Sequence, residues 1–412
     1  MSFDKFNLSP KINEALVASN YTNPTPIQEA VIPLILEGVD IMAKAQTGSG
    51  KTASFVLPIL HQYSFQEQPK KAKIKVLVLT PTRELTLQVA DTFRIFSKYL
   101  EQKPKIATII GGQNIGDQLL DIQKGCHIVV ATSGRLLEIC DKKQIDLSSL
   151  EYFILDEADK MLDLGFADEL DAILSILPIK RKNLLFSATY PAKMVSIAAK
   201  ITTDAVKVSI ENEMPTVENI TQRAIFVAKE KRSPLLQKLI RENKFGKVLV
   251  FMANKRASDN IAAKFRKYGF LADSFHGDLL QEERIYTLEA FKNKKIKILF
   301  STDIASRGLH IDDIDCVINF DLPRGVDEYI HRIGRTARAG KSGVAISFVD
   351  NETYPHFKLI EKRCNIRIEK ETIEGFELEV VAPIKQKGNA PIKGKRKSKK
   401  DKLRESEASN TK

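Results

Sequence analysis

Little in this chain would let cysteine, histidine or a membrane organise its fold. The 412 residues include only four cysteines, Cys126, Cys140, Cys316 and Cys364, scattered with no C-x-x-C spacing. That distribution argues against both a structural zinc site and a disulfide framework, and predicts ordinary buried thiols. The six histidines show no ligand spacing either. No apolar run approaches the ~18 residues of a membrane span. The opening Met1-Ser2-Phe3-Asp4-Lys5 lacks the basic and then apolar layout of a signal peptide, so a cytoplasmic protein without a membrane partner is expected.

Strong charge is missing from most of the chain as well. Of the net +12, residues 384–412 carry +8, from eleven Lys and Arg against three acids, which leaves +4 for everything before them. Composition therefore points to a polyanionic partner mainly through the tail. What is plentiful is hydrophobic residue, 43% of a chain longer than one core usually serves, and this predicts two domains.

The order of patterns supports the same division. After a short opening helix over 11–18, begun by Ser9-Pro10, apolar runs at 39–43, 76–80, 106–110, 128–131, 152–155 and 184–187 alternate with helix-like segments. Continuous apolar strands separated by helices imply a parallel sheet covered on both faces. Thr80, Thr132, Asp156 and Ser187 stand at strand exits, the rim where sites gather in such sheets. Residues 210–219 are acidic, proline-bearing and aperiodic, and read as a linker between a first domain over 1–209 and a second over 220–370. In the second, strands are expected at 224–227, 248–251, 298–301, 316–319 and 344–349. The two halves share an architecture without repeating residue by residue. From about residue 383 the composition turns to Lys, Gly, Ser and Asn, which predicts a disordered basic tail over 383–412.

Chemistry enters at Ala45-Gln46-Thr47-Gly48-Ser49-Gly50-Lys51-Thr52, between an apolar run and a helix-like run. Its small residues let successive backbone N–H groups turn onto a phosphate, Lys51 can reach the outer phosphates, and the Thr52 hydroxyl can hold Mg²⁺. Asp156-Glu157-Ala158-Asp159 follows the strand at 152–155. An acid at that exit lies beside the phosphate loop, where one carboxylate can hold the metal ion and the next can orient an attacking water. Upstream, Pro24-Thr25-Pro26 fixes a turn into a helix that carries Gln28, whose carboxamide can read a donor and an acceptor on a base edge.

Taken with Pro81-Thr82-Arg83-Glu84-Leu85, Gly111-Gly112 and Ser187-Ala188-Thr189, these segments resemble the first half of a DEAD-box RNA helicase. The second half is similar too, through Val250-Phe251-Met252, His276-Gly277-Asp278, Gln281 to Arg284, Ser301-Thr302-Asp303, Ser306-Arg307-Gly308 and His331-Arg332-Ile333-Gly334-Arg335-Thr336-Ala337-Arg338. The resemblance runs from about Phe3 to Ile368, in the family's order, and within the family leans to the bacterial RhlE-type proteins.

The resemblance implies two tandem RecA-like α/β domains and a set of roles. Phe6 would stack on adenine and Gln28 would bond its edge. Thr47, Gly48, Ser49, Gly50, Lys51 and Thr52 would hold the phosphates, with Gly308 completing the nucleotide site. Thr52 and Asp156 would hold Mg²⁺, and Glu157 would position the hydrolytic water. Ser187 and Thr189, bonded to Asp159, would couple hydrolysis to strand separation together with His331. Arg335 and Arg338 would arrive from the second domain as arginine fingers. Arg83, Gly112, Thr132, Arg135, Gly277, Arg284 and Thr302 would grip the RNA backbone, which predicts binding without sequence preference.

Four positions depart from the family's pattern. Asn20 and Ala337 stand where Gly is usual, and Ser133 stands where Pro is usual; these small residues are expected to cost little. His310 stands where Asp commonly contacts the ribose, and an imidazole lacks a carboxylate's paired acceptors. The expected activity is local, ATP-driven unwinding of short RNA duplexes by a monomer. The rivals are a slow ATP-gated RNA clamp and a DNA-translocating helicase. The tail, with ten basic residues and one acid over 385–404, is expected to add salt-sensitive attraction to RNA.

Overall fold

A computed structural model describes residues 2–45, 48–64, 72–190, 192–210, 219–306, 311, 314–337 and 342–378. Thr47, Gly308, His310, Arg338, most of the expected linker and the basic tail lie outside the described residues.

Two parallel sheets of seven strands dominate. The first is built from β1 (Ile41–Lys44), β2 (Val76–Thr80), β3 (Ile106–Ile109), β4 (Ile128–Thr132), β5 (Tyr152–Leu155), β6 (Lys182–Ser187) and β7 (Val206–Ser209). Its spatial order is β3-β4-β2-β5-β6-β1-β7. The second comprises β8 (Ile220–Phe226), β9 (Val248–Phe251), β10 (Ala272–Phe275), β11 (Ile298–Ser301), β12 (Cys316–Asn319), β13 (Gly343–Val349) and β14 (Lys370–Glu371). Its order, β10-β11-β9-β12-β13-β8-β14, is the first order strand for strand.

Helices cover both faces of each sheet, and this explains the apolar runs. On β2, Val76 and Val78 enter one core while Leu77 and Leu79 enter the core on the opposite face. A strand with water on one side would alternate; one with helices on both sides need not. Three strands were not expected from the sequence, β7, β10 and β14, and each lies at a sheet edge. Val206-Lys207-Val208-Ser209 mixes polar with apolar and Lys370-Glu371 is polar throughout because their edges are partly wet, whereas Ala272-Asp273-Ser274-Phe275 is mostly buried and its polar side chains bond to Arg266 and Asp259. The opening helix Pro10–Ala18 starts where expected, but the Ser9 side chain makes no capping hydrogen bond; Pro10 alone sets the first turn. The cysteines divide: Cys126 and Cys316 are buried, while Cys140 and Cys364 are only half-buried.

The second sheet carries a counterpart of the phosphate-loop helix. Helix Lys51–Ser64 follows β1 and helix Arg232–Asn243 follows β8 at the same place in the strand order. Buried Arg232 therefore stands where Lys51 stands in the first lobe. It donates to the Phe320 carbonyl at 2.9 Å and pairs with Asp321 at 3.1 Å and Asp350 at 2.6 Å.

Two of the departures from family pattern share a backbone reason. Asn20 and Ala337 have φ of 58° and 55°, in the left-handed region that glycine occupies without penalty. Asparagine tolerates this region and alanine does not, so the cost falls on Ala337. Ala337→Gly is expected to stabilise the second lobe by about 1 kcal/mol in denaturant titration, whereas Asn20→Gly should change little. A destabilised Ala337→Gly variant would contradict this.

Candidate functional site

The carboxyl ends of β1, β5 and β6 bring the phosphate loop, the acidic tetrad and Ser187 together. Ala45 is buried, and its N–H donates to the Ser187 carbonyl at 3.0 Å, which ties the start of the loop to β6. Gly48 and Gly50 have φ of 90° and 95°. A Cβ on Gly50 would lie 2.6 Å from Gln28 Nε2 and 2.8 Å from Thr25 Oγ1, so a side chain there would be strained by conformation and would push the Gln28 carboxamide from its place. Lys51 is buried and donates to the Ala45 carbonyl at 2.9 Å, closing the loop around its own ammonium group. Thr52 follows in the first turn of a 14-residue helix whose N-terminal end favours anions.

Gln28 is buried and occupied at both ends of its carboxamide. Its oxygen accepts from Thr25 N at 2.9 Å, forming half of a capping box, and its nitrogen donates to the Gly50 carbonyl at 3.1 Å. It thereby braces the phosphate loop. Phe6 ends a short 3₁₀ turn over Phe3–Phe6, packed edge-on against Phe3, with Lys5 Nζ 5.2 Å above its ring. Lys5 also pairs with Glu29 at 2.5 Å.

The tetrad divides its work by direction. Burial pushes the Asp156 carboxyl up to about 6, against the pull of Lys51; Glu157 adds to the rise. Glu157 sits in the left-handed region at φ 52°, and its Oε1 pairs with Lys160 Nζ at 2.7 Å. Asp159 turns the other way. Its Oδ2 accepts from Thr189 N at 2.9 Å and Thr189 Oγ1 at 3.0 Å, and its N–H donates to Ser187 Oγ at 3.3 Å. Arg335, from the second lobe, is buried and close enough to Lys160 to help hold its pKa down, although burial is the larger cause. His331 lies exposed on helix Val326–Ile333.

A second cluster joins the lobes away from the tetrad. Arg83 and Glu84 begin helix Arg83–Phe96, and Arg284 lies on helix Gln281–Lys292 of the other lobe. Arg284 Nε meets Glu84 Oε1 at 2.7 Å with both side chains buried, and the guanidinium lies 4.5 Å from the Phe275 ring centroid. Its other nitrogen donates to the His276 carbonyl at 2.8 Å. Arg135 donates to the Gln113 carbonyl at 3.1 Å and pairs with Glu138 at 3.1 Å. Burial, then the neighbouring guanidinium groups of Arg284 and Arg135, hold the Arg83 pKa below its ordinary value while Glu84 opposes them. Gly112, at φ 79°, lets the chain pass so close to Arg83 that a Cβ would lie 2.5 Å from its Nη1. Thr132 ends β4 at the start of helix Ser133–Asp141, a Cβ on Gly277 would meet nothing within 4 Å, and Thr302 follows β11, half-buried.

Similarity to known proteins covers the same two regions. The chain matches the family described as DEAD/DEAH box helicase over residues 25–197 and the one described as Helicase conserved C-terminal domain over residues 230–340. It is 39% identical over 371 residues to the ATP-dependent rRNA helicase RRP3 of Meyerozyma guilliermondii, spanning 90% of this chain and 77% of that one. The chain belongs to the DEAD/DEAH box helicase family. A second member, DEAD-box ATP-dependent RNA helicase CshA of Bacillus subtilis, is 37% identical over 90% of this helicase and 74% of its own length. Among solved structures, S. cerevisiae Dbp5 bound to RNA and ADP BeF3 superposes with a TM-score of 0.79 at 29% identity, covering 90% of this chain and 95% of that one. Dbp5 bound to Nup159, Gle1, IP6 and ADP gives 0.62 at 28% identity, covering 89% and 96%. The likeness to Dbp5 extends over both lobes of this helicase. Its two sheets are thus tandem RecA-like domains.

Sequence reading missed two side chains in these clusters. Lys160 could have been found by its i,i+3 spacing from Glu157 on a short helix. The Glu84–Arg284 pair could not, because 200 residues and a lobe boundary separate its partners.

The shifted carboxyl gives a testable sign. Native protein binds the Asp156 proton more tightly than unfolded chain, so stability falls as pH rises from about 4 to 6 and the charged group then costs about 3 kcal/mol. In the absence of nucleotide and divalent cation, Asp156→Asn should melt above the parent protein at pH 7.5. The gap should close near pH 4, and an equal or lower melting temperature at pH 7.5 would be inconsistent with the buried charge.

Proposed function

We propose that this protein is an ATP-dependent RNA helicase that grips RNA by its backbone, without sequence preference, and separates short duplexes as ATP is hydrolysed. The observation that carries the RNA reading is the convergence of Arg83, Arg135 and Arg284 from both lobes, close enough to repel one another. Such crowding is relieved by phosphates, and a strand laid across it would hold the lobes together. The relatives described above are named as RNA helicases, which weighs against the DNA-translocating rival.

On the other cluster we assign nucleotide binding and hydrolysis. The donor set fits Mg²⁺·ATP: an open cradle at Gly48, a helix N-terminus, Lys51, and a buried carboxylate at Asp156 whose raised pKa calls for a cation. Thr52 and Asp156 would hold the ion, which neutralises charge on the phosphate oxygens when bound. Glu157 orients the attacking water, Lys51 and Arg335 stabilise the charge that spreads over the transferred phosphoryl group, and Arg338 joins them as a second finger. Phe6, Gln28, Thr47, Ser49, Gly50 and Gly308 complete the nucleotide site. Thr189 and Ser187, through Asp159, report its state, and His331 belongs to the same coupling. Gly112, Thr132, Gly277 and Thr302 line the RNA path. Residues 1–209 and 220–370 serve as the two working domains, and the protein acts as a cytoplasmic monomer. On motif residues it stands beside the RhlE-type proteins.

Glu157→Gln should lower RNA-stimulated ATP turnover by at least about a hundredfold while leaving RNA binding in a non-hydrolysable ATP analogue intact. Turnover near the parent's would sink the site assignment. A parent ATPase stimulated equally by DNA, or a slow one with long-lived RNA complexes, would favour one of the rivals. Truncation at Pro383 removes the basic tail; if about five of its charges meet phosphates, the slope of log K against log salt should flatten by roughly 3.5. An unchanged slope would remove the tail from RNA binding.

A further inference from the structure

Lysine is almost never fully buried unless it is paired, and the pairing usually reveals why it is kept. Lys160 follows Asp159 on helix Ala158–Asp163, and only 4% of its side chain is exposed. Its ammonium group sits 2.7 Å from Oε1 of Glu157, itself 3% exposed. Its backbone N–H donates to the Glu157 carbonyl at 3.0 Å, so one residue clasps both the main chain and the side chain of the other. For stability this is a poor use of a core position. Burial pulls the Lys160 pKa down against the attraction of Glu157, and repulsion from Arg335 and Lys51 adds to the pull. A hydrophobic residue of similar volume would avoid both costs.

What Lys160 supplies is direction. The last torsion of a glutamate is broad and roughly two-fold, so a carboxylate fixed only by its backbone sweeps a range of orientations. The left-handed backbone at Glu157 aims its Cα–Cβ bond but leaves that torsion to be set by contacts. A cation on the other lobe would be a poor choice to set it, because Arg335 is in place only when the lobes are together. Lys160 travels with Glu157, and it holds the carboxylate in the frame of the first lobe whatever the second lobe does.

We propose that Lys160 is a positioning residue for ATP hydrolysis, its ammonium group holding one oxygen of Glu157 so that the other meets the attacking water in line. This rests on the assignment of Glu157 as the residue that orients that water. A misplacement on the order of 1 Å is enough to cost about a hundredfold in rate.

The test compares Lys160→Met and Lys160→Arg in the full chain. With Lys160→Met, RNA-stimulated kcat should fall roughly 10- to 100-fold. The KM for ATP, and RNA affinity in a non-hydrolysable ATP analogue, should stay within about twofold, because no ligand contact is lost. Lys160→Arg should recover most of the rate. In single-turnover measurements the Lys160→Met loss should vanish in a Glu157→Gln background, since a residue that acts through Glu157 has nothing left to act on. An unchanged or raised kcat would overturn the proposal, as would additive losses. Weakened analogue binding would also overturn it, by making Lys160 a ligand contact. Should the methionine variant not fold, Lys160→Gln provides the same comparison. Full turnover by Glu157→Gln would bring down the reading of Glu157 itself, whereas an inactive Glu157→Gln beside an active Lys160→Met would bring down only the role of Lys160.

Discussion

A buried ion pair spans the two lobes, from Glu84 of the first to Arg284 of the second. Its energetics constrain everything around it. Two charges taken out of water lose several kcal/mol of hydration each, and their attraction returns that only when geometry and further hydrogen bonds are good. Here Arg284 also holds a carbonyl and lies against an aromatic ring, so the closed arrangement is tolerable. If the lobes part, both partners regain water, and the pair by itself does not lock them. Closure can draw further stability from elsewhere, and the molecule places cations at two clusters where added anions could contribute it. On the assignments proposed above, RNA phosphates would answer Arg83 and Arg135 at one cluster, and a nucleotide would answer Lys51 and Arg335 at the other. Each ligand would then favour the arrangement that the other needs, which is coupling in the thermodynamic sense.

How far this was legible in the sequence depended on whether the relevant physics was local. Central strands could be read because residues such as Val76 to Thr80 are apolar throughout, a pattern forced by cover on both faces. Edge strands such as Val206–Ser209 could not, because wet edges look like loops. The phosphate loop and the tetrad were legible as short segments whose residue types have few other uses together. The use of Gln28 as a brace was not. Its oxygen has a capping role visible in Thr25-Pro26-Ile27-Gln28, yet its nitrogen reaches a carbonyl 22 residues away. Arg284 was assigned to RNA from motif resemblance, and only the folded chain brings it to Glu84.

The small residues at unusual backbone angles follow the same division. At Gly50 and Gly112, a left-handed backbone strains any side chain, and a Cβ would also displace Gln28 or Arg83. At Asn20 and Ala337 there is a conformational cost, one that the sequence could register as a departure but not explain.

The matching strand order of the two sheets has a consequence at Arg232. In the first lobe the helix after the leading strand opens with a lysine that bonds only a backbone carbonyl among the described residues; in the second it opens with an arginine already neutralised by Asp321 and Asp350. The second lobe thus carries a self-quenched version of the first lobe's site, with its own carboxylates where phosphates would otherwise go. The symmetry of the scaffold is therefore broken in its chemistry, because the cation at this place in the second lobe is already neutralised.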